Sequence, residues 1–207
     1  METKVYNQNE YKYLVEDLLN GKVVAFPTET VYGLAIVYDD INAFNRLYQI
    51  KNRSITKPIS MMVSNKENIE KVAFIDENSN KVIDKFMPGE LTLILKAKDN
   101  LPEHVTFNLK TVGVRIPKFD LALKILTEVN KPLLVTSANI SNTKALVKYE
   151  DVIKEFDGKI ASLIALDALD SEPSSVVCVF DDDVKMFRQG KISKQEIINV
   201  LEERKWK

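Results

Sequence analysis

The 207-residue sequence contains one cysteine and one histidine. A single thiol, Cys178, cannot close an internal disulfide, which suits a reducing compartment. Its place in the apolar run 176–180 makes it a buried small hydrophobe rather than a nucleophile. With His104 as the sole histidine, neither a multi-histidine metal site nor a Ser-His-Asp triad is expected, and His104 itself is expected at the surface. The phosphate-binding patterns G-x-x-x-x-G-K-[ST] and G-x-G-x-x-G are both missing, since Gly21-Lys22 lacks the upstream glycine and the following hydroxyl. No apolar run approaches the ~20 residues of a membrane span, and none follows Met1-Glu2-Thr3-Lys4. A signal peptide and a membrane partner are therefore not expected, and the expected location is cytoplasmic. A net charge of −1 argues against nucleic-acid binding driven by overall charge.

The residues present are those of a globular protein, 45% hydrophobic and 29% charged. Strand-like and helix-like segments alternate, which predicts an α/β fold, and no linker or repeat breaks the chain, so residues 1–207 are expected to form one domain. Helices are predicted over 9–20, where Tyr13, Leu14, Leu18 and Leu19 recur at helical spacing before Gly21, and over 41–51 behind Asp39 or Asp40. Further helices are predicted over 79–87, 121–129 and 149–156. Capping boxes at Ser64-Asn65-Lys66-Glu67 and Ser193-Lys194-Gln195-Glu196 open two more. Strands are predicted over 23–26, 33–37, 59–63, 91–96, 112–116 and 133–136. Two last strands, over 175–180 and 184–187, flank the acidic turn Asp181-Asp182-Asp183.

Several polar stretches fall at strand ends, where α/β folds place ligands. Lys51, Arg53 and Lys57 lie within seven residues with no acid among them, a loop that either clamps phosphate oxygens or is simply solvated. Ser137 and Asn139 follow an apolar strand and serve either a ligand or the next turn. Arg115 and Arg188 each end an apolar strand, where a charge needs a partner: a bound anion, or Asp or Glu at the surface.

These stretches together resemble the YrdC-like family, whose bacterial members are threonylcarbamoyl-AMP synthases. The motifs occur in family order: Pro27-Thr28-Glu29-Thr30-Val31-Tyr32-Gly33-Leu34; Lys51-Asn52-Arg53 with Lys57-Pro58; Pro88-Gly89 with Leu91-Thr92; Val114-Arg115-Ile116-Pro117; Ser137-Ala138-Asn139; Ser174-Ser175-Val176; and Arg188-Gln189-Gly190. The resemblance covers about residues 8–200. It implies a twisted mixed sheet with much antiparallel pairing, helices on its faces, and a large concave cavity. It also implies a reaction in which L-threonine, bicarbonate and ATP give threonylcarbamoyl-AMP and pyrophosphate, for N6-threonylcarbamoyladenosine in tRNA.

By the same resemblance, Thr30, Met62, Arg115, Val135 and Ser174 belong to the L-threonine site. Arg53, Lys57, Thr111, Ser137, Asn139 and Arg188 belong to the ATP site, and Lys51 and Arg53 are the expected catalytic residues. Mg²⁺ is expected to arrive with ATP, with no metal ligand among the side chains. The implied partners are ATP, L-threonine and bicarbonate, with tRNA or the threonylcarbamoyl-transfer complex downstream. Glu90, Asn142, Ser175 and Gln189 depart from frequent family residues, yet none removes a charged group. The alternative from another class is an RNA-binding module that uses the same cavity without forming an adenylate. Against it, the sequence lacks a basic stripe interleaved with exposed aromatics.

Overall fold

The computed structural model describes residues 2–54, 56–170, 172–180 and 183–203. Its strands are β1 (Lys4–Tyr6), β2 (Val24–Phe26), β3 (Gly33–Val37), β4 (Ser60–Met62), β5 (Ala73–Phe74), β6 (Leu91–Ala97), β7 (Thr111–Arg115), β8 (Leu133–Ser137), β9 (Ser162–Ile164), β10 (Ser175–Phe180) and β11 (Asp183–Arg188). They form one mixed sheet in the order β1-β9-β2-β3-β8-β4-β7-β6-β10-β11, with β5 added beside β6. The pairs β1/β9, β2/β9, β4/β7 and β6/β10 are parallel and the others antiparallel. The helices are α1 (Tyr11–Leu19), α2 (Ile41–Ile50), α3 (Lys66–Glu70), α4 (Glu77–Phe86), α5 (Glu103–Thr106), α6 (Asp120–Val129), α7 (Tyr149–Phe156) and α8 (Lys194–Glu202). None is long and apolar enough to cross a membrane.

Strand periodicity explains how the layers form. In β3, Leu34 and Ile36 enter one core with Leu47 of α2 and Met61 of β4, while Ala35 and Val37 enter a second with Leu14 and Leu18 of α1 and Leu126 of α6. All five residues of β3 are buried, as a strand covered on both faces requires. The far half of the sheet is covered on one face only. In β6, Leu93 and Leu95 join the first core, whereas Ile94 is half-buried and Lys96 exposed. The layer of α1 and α6 thus stops partway across the sheet.

Local signals placed most helix starts. Asp40 Oδ1 accepts from the amides of Asn42 and Ala43, both at 2.9 Å, which selects Asp40 over Asp39 as the cap of α2. Ser193 and Glu196 form the expected capping box. At α3 the expectation is corrected: Asn65, not Ser64, is the N-cap, accepting from Asn68 N at 2.9 Å. In α1, Leu14, Val15 and Leu18 are buried and Tyr13 and Leu19 exposed, so the buried face is rotated from the expected stripe.

Two further expectations hold only in part. Cys178 is half-exposed, because β10 alternates and its partners Val177 and Val179 take the covered face. His104 is not a free surface residue: it packs on Phe44, with ring centroids 5.1 Å apart, and its Nε2 lies 2.9 Å from the Tyr38 carbonyl. Of the acidic turn, Asp181 and Asp182 lie outside the described residues. The short elements β1, β5, β9 and α5 carry too few residues to show a period, and no local signal in the sequence marks them.

Candidate active site

A cavity of about 250 Å³ is walled by residues of β3, β4, β6, β7, β8, β10 and β11 and of the loops before β3, β4 and β10. The strand register brings its walls together. Met62 pairs with Arg115 across β4 and β7, Ser60 with Val135 across β4 and β8, and Thr92 with Val176 across β6 and β10. From the threonine set expected above, Thr30, Met62, Arg115, Val135 and Ser174 all line it. From the ATP set, Arg53, Ser137 and Arg188 do so.

Arg115 is held from three sides. Its Nε donates to the Gly89 carbonyl at 3.0 Å and its Nη1 to Thr30 Oγ1 at 3.1 Å. Its Nη2 lies 2.8 Å from Glu29 Oε1, with both side chains below 10% exposure. That approach is an ion contact without hydrogen-bond alignment, so Nη2 has no hydrogen-bond partner. The anticipated surface acid is thus a buried one. Glu29 is the functional residue that could not be singled out from the sequence, because its contacts with Arg115 and Lys118 are made only in the fold. Its one signal was being the sole acid in residues 26–34.

The loop before β3 is stiffened by its own hydroxyls. Thr28 Oγ1 accepts from the Thr30 amide at 3.1 Å and donates to the Val31 carbonyl at 2.7 Å. The Thr28 and Thr30 hydroxyls are 2.9 Å apart. Because the Thr28 proton goes to Val31, the Thr30 proton points to Thr28. The Thr30 oxygen is then left as the acceptor for Arg115.

On the opposite wall, Arg188 Nε donates to the Ser174 carbonyl at 2.8 Å and Nη2 to Ser174 Oγ at 3.1 Å. Ser174 Oγ also lies 2.9 Å from Thr92 Oγ1. Burial, then the charges of Arg115 and Arg53, lower the pKa of Arg188 from its ordinary value. Three guanidinium groups that repel one another around one hollow are the arrangement an anion relieves. Gly190 permits this wall, since a Cβ there would fall 2.4 Å from the Pro173 carbonyl and 2.7 Å from Ser175 N.

The loop after α2 turns through Asn52, at φ 48°. Arg53 is braced by the Lys57 and Pro58 carbonyls at 3.1 and 2.9 Å. Lys51 turns the other way. It is 1% exposed, and its Nζ donates to the Ser137 carbonyl and to the Asn139 carbonyl and Oδ1. Burial first, and Arg53 second, lower its pKa from 10.5 to about 7.

Four residues expected at the site do not line the cavity. Lys51 lies behind the wall, because its ammonium is spent on main-chain acceptors. Asn139 gives its amide to the Ile140 and Thr143 carbonyls, both at 2.8 Å, and so shapes the turn after β8. Lys57 is exposed on the loop, contributing its carbonyl to Arg53 and Tyr48. Thr111 is exposed at the other end of β7 from Arg115, opposite Lys96.

Among the described residues no group of three or more His, Cys, Asp or Glu is placed to hold a metal ion. The donor set is cationic and hydroxylic, suited to phosphate and carboxylate oxygens rather than to a bare divalent cation.

Comparison with known proteins gives the same answer from outside the geometry. The family model Sua5/YciO/YrdC, described as "Telomere recombination", matches residues 16–190. A Methanocaldococcus jannaschii protein, provisionally named threonylcarbamoyl-AMP synthase, is 35% identical over 94% of this chain and 95% of its own length. The Bacillus subtilis threonylcarbamoyl-AMP synthase is 34% identical over 89% of this chain, which spans only 54% of that protein. Among solved structures, P. abyssi Sua5 complexed with L-threonine superposes with a TM-score of 0.91 at 31% identity, over 96% of this chain and 61% of that one. E. coli YciO, at 22% identity and a TM-score of 0.87, shares the fold over 94% of this chain and 99% of its own. The family model and the relatives show that the chain belongs to the Sua5/YciO/YrdC family.

Proposed function

We propose that this chain is an L-threonylcarbamoyladenylate synthase, converting L-threonine, bicarbonate and ATP to threonylcarbamoyl-AMP and pyrophosphate. The observation that carries the reading is the meeting of Arg53, Arg115 and Arg188 in one cavity, beside an apolar wall that includes Met62 and Val135. That cavity suits a small amino acid next to a polyphosphate. Relatives named for this activity match it over most of this chain.

In this reading Arg115 takes the threonine carboxylate, Thr30 and Ser174 border the same molecule, and Met62 and Val135 receive its methyl group. Arg53, Arg188 and Ser137 take the triphosphate. The threonine amine captures carbon dioxide or bicarbonate, and the carbamate oxygen attacks the α-phosphorus as pyrophosphate leaves. No side chain forms a bond to substrate. The protein's contribution is alignment and stabilisation of charge passing to pyrophosphate. Mg²⁺ enters as part of the MgATP substrate. Lys51 and Asn139 hold the wall rather than the nucleotide, and Lys57 meets phosphate only at the loop's outer side. The product would serve tRNA modification, in the cytoplasm.

Product detection tests the reading: purified protein is incubated with ATP, Mg²⁺, bicarbonate and one amino acid at a time, and carbamoyl-adenylates are sought by mass spectrometry. Threonine alone should give strong signal. One buried methyl group is worth about 1–3 kcal/mol, so serine should fall short by roughly 10- to 200-fold. Tight RNA binding without pyrophosphate release would replace this reading with the binding module.

A further inference from the structure

We propose that Glu29 is a positioning residue for amino-acid binding, holding Arg115 with its Nη edge presented to the substrate carboxylate. The inference rests on reading the cavity as the threonine site.

Three observations carry it. First, Glu29 is 7% exposed, and its Oε1 is fixed by the Lys118 amide at 2.7 Å while facing Arg115 Nη2 at 2.8 Å. The carboxylate therefore links the loop of Thr28 and Thr30, the turn into α6 and the guanidinium at the end of β7. Second, five buried side-chain atoms of the described residues lack a hydrogen-bond partner, and two belong to this pair, Glu29 Oε2 and Arg115 Nη2. A buried polar group left without a hydrogen bond is costly, so what keeps these two charged side chains together is their mutual ion contact rather than solvent. Third, Arg115 adds to the charge felt by Arg188, so it needs a counter-charge before any substrate arrives.

The arrangement sets the order of events around Arg115. Nε and Nη1 are committed to Gly89 and Thr30, which fixes the plane of the guanidinium. Glu29 holds the remaining nitrogen by charge but leaves its hydrogen bonds unmade. Nη2 itself is shut off from solvent, so an arriving carboxylate meets the part of the guanidinium that lines the cavity, in the position that Glu29, Gly89 and Thr30 set. Without the negative charge at position 29, Arg115 would be pushed by its cationic neighbours and the presented edge would move.

The test measures L-threonine binding calorimetrically without nucleotide, together with product formation and thermal unfolding, for wild type, Glu29→Gln and Glu29→Asp. Loss of the charge in Glu29→Gln should weaken L-threonine binding at least about tenfold. The KM for ATP should stay within about threefold, and Glu29→Asp, which restores the charge on a shorter arm, should recover part of the loss. L-Threonine affinity in Glu29→Gln within twofold of wild type overturns the inference. Equal losses for both substrates with a lower melting temperature and no recovery by Asp also overturn it, since they mark a role in folding alone. Wild-type protein that binds L-threonine but makes no adenylate refutes the proposed reaction while leaving the role of Glu29 intact. Active wild type with an indifferent Glu29→Gln does the reverse.

Discussion

Lys51 Nζ donates to both the main-chain carbonyl of Asn139, at 2.8 Å, and its side-chain Oδ1, at 3.2 Å, across 88 residues of sequence. With the bond to the Ser137 carbonyl, one ammonium ties the loop of Arg53 to the strand end of Ser137. In the protonated form the three bonds use all three N–H groups. Lys51 is thus a brace between two walls of the cavity, and its removal should act through Arg53 and Ser137.

The brace has a titration. Burial and Arg53 lower the Lys51 pKa from 10.5 to about 7, so between those values the unfolded chain keeps a proton that the folded chain releases. Stability attributable to this group therefore rises with pH across that window, and below about 7 the burial penalty is fully present. Urea unfolding of wild type and Lys51→Met from pH 6.5 to 10 should show the difference moving steadily in favour of wild type as pH rises. A pH-independent difference would mean that Lys51 does not titrate in this range.

Arg115→Ala and Arg53→Ala should each cut turnover by orders of magnitude while the fold survives, the loss of a charged ligand contact costing about 2–5 kcal/mol. Because Arg115 lies with Thr30 and Arg53 on the loop outside β4, the first should raise the KM for threonine and the second that for ATP. Steady-state kinetics with each substrate varied in turn checks the division. Wild-type rates in both variants would remove the site map.

Gly190→Ala should damage the Ser174 wall without touching substrate. The added Cβ meets backbone, the Pro173 carbonyl and Ser175 N, which cannot swing aside as a side chain would. Overpacking of this kind costs about 1–3 kcal/mol, seen as a lower melting temperature. Displacement of Ser174, on which Arg188 rests, should lower activity further than the stability loss explains.

If the proposed reaction holds, chelation of Mg²⁺ should stop pyrophosphate release and leave L-threonine binding intact, since the wall proposed for threonine is built from Arg115, Thr30 and apolar groups. Calorimetry with and without EDTA separates the two. Loss of threonine affinity on chelation would require a metal in the amino-acid half of the cavity.

The sequence made the regular elements legible wherever a local rule applied. The stretch 149–156 is the helix expected, β3 runs over the predicted 33–37, and Ser193 and Glu196 form their capping box. It failed where the deciding contact is distant. The length of β1 and β9 gives no period to read; they exist because they pair with one another through Lys4–Ser162 and Tyr6–Ile164. Cys178 lies in an apolar run whose composition does not tell which face of β10 is covered.

The site divided in the same way. Residue chemistry raised Arg53 in a basic loop and Arg115 and Arg188 at strand ends as candidates for an anion, with solvent or an acid as the other possible partner, and the motif resemblance added Ser174. Only the folded chain decided that Asn139 and Lys51 spend their polar groups on each other and on main-chain carbonyls, and that Thr111 lies away from Arg115. It also decided that Glu29 meets Arg115. Sequence fixes which groups can donate, accept or carry charge. Which of them remain available to a substrate depends on partners brought from far along the chain, and those distances exist only after folding.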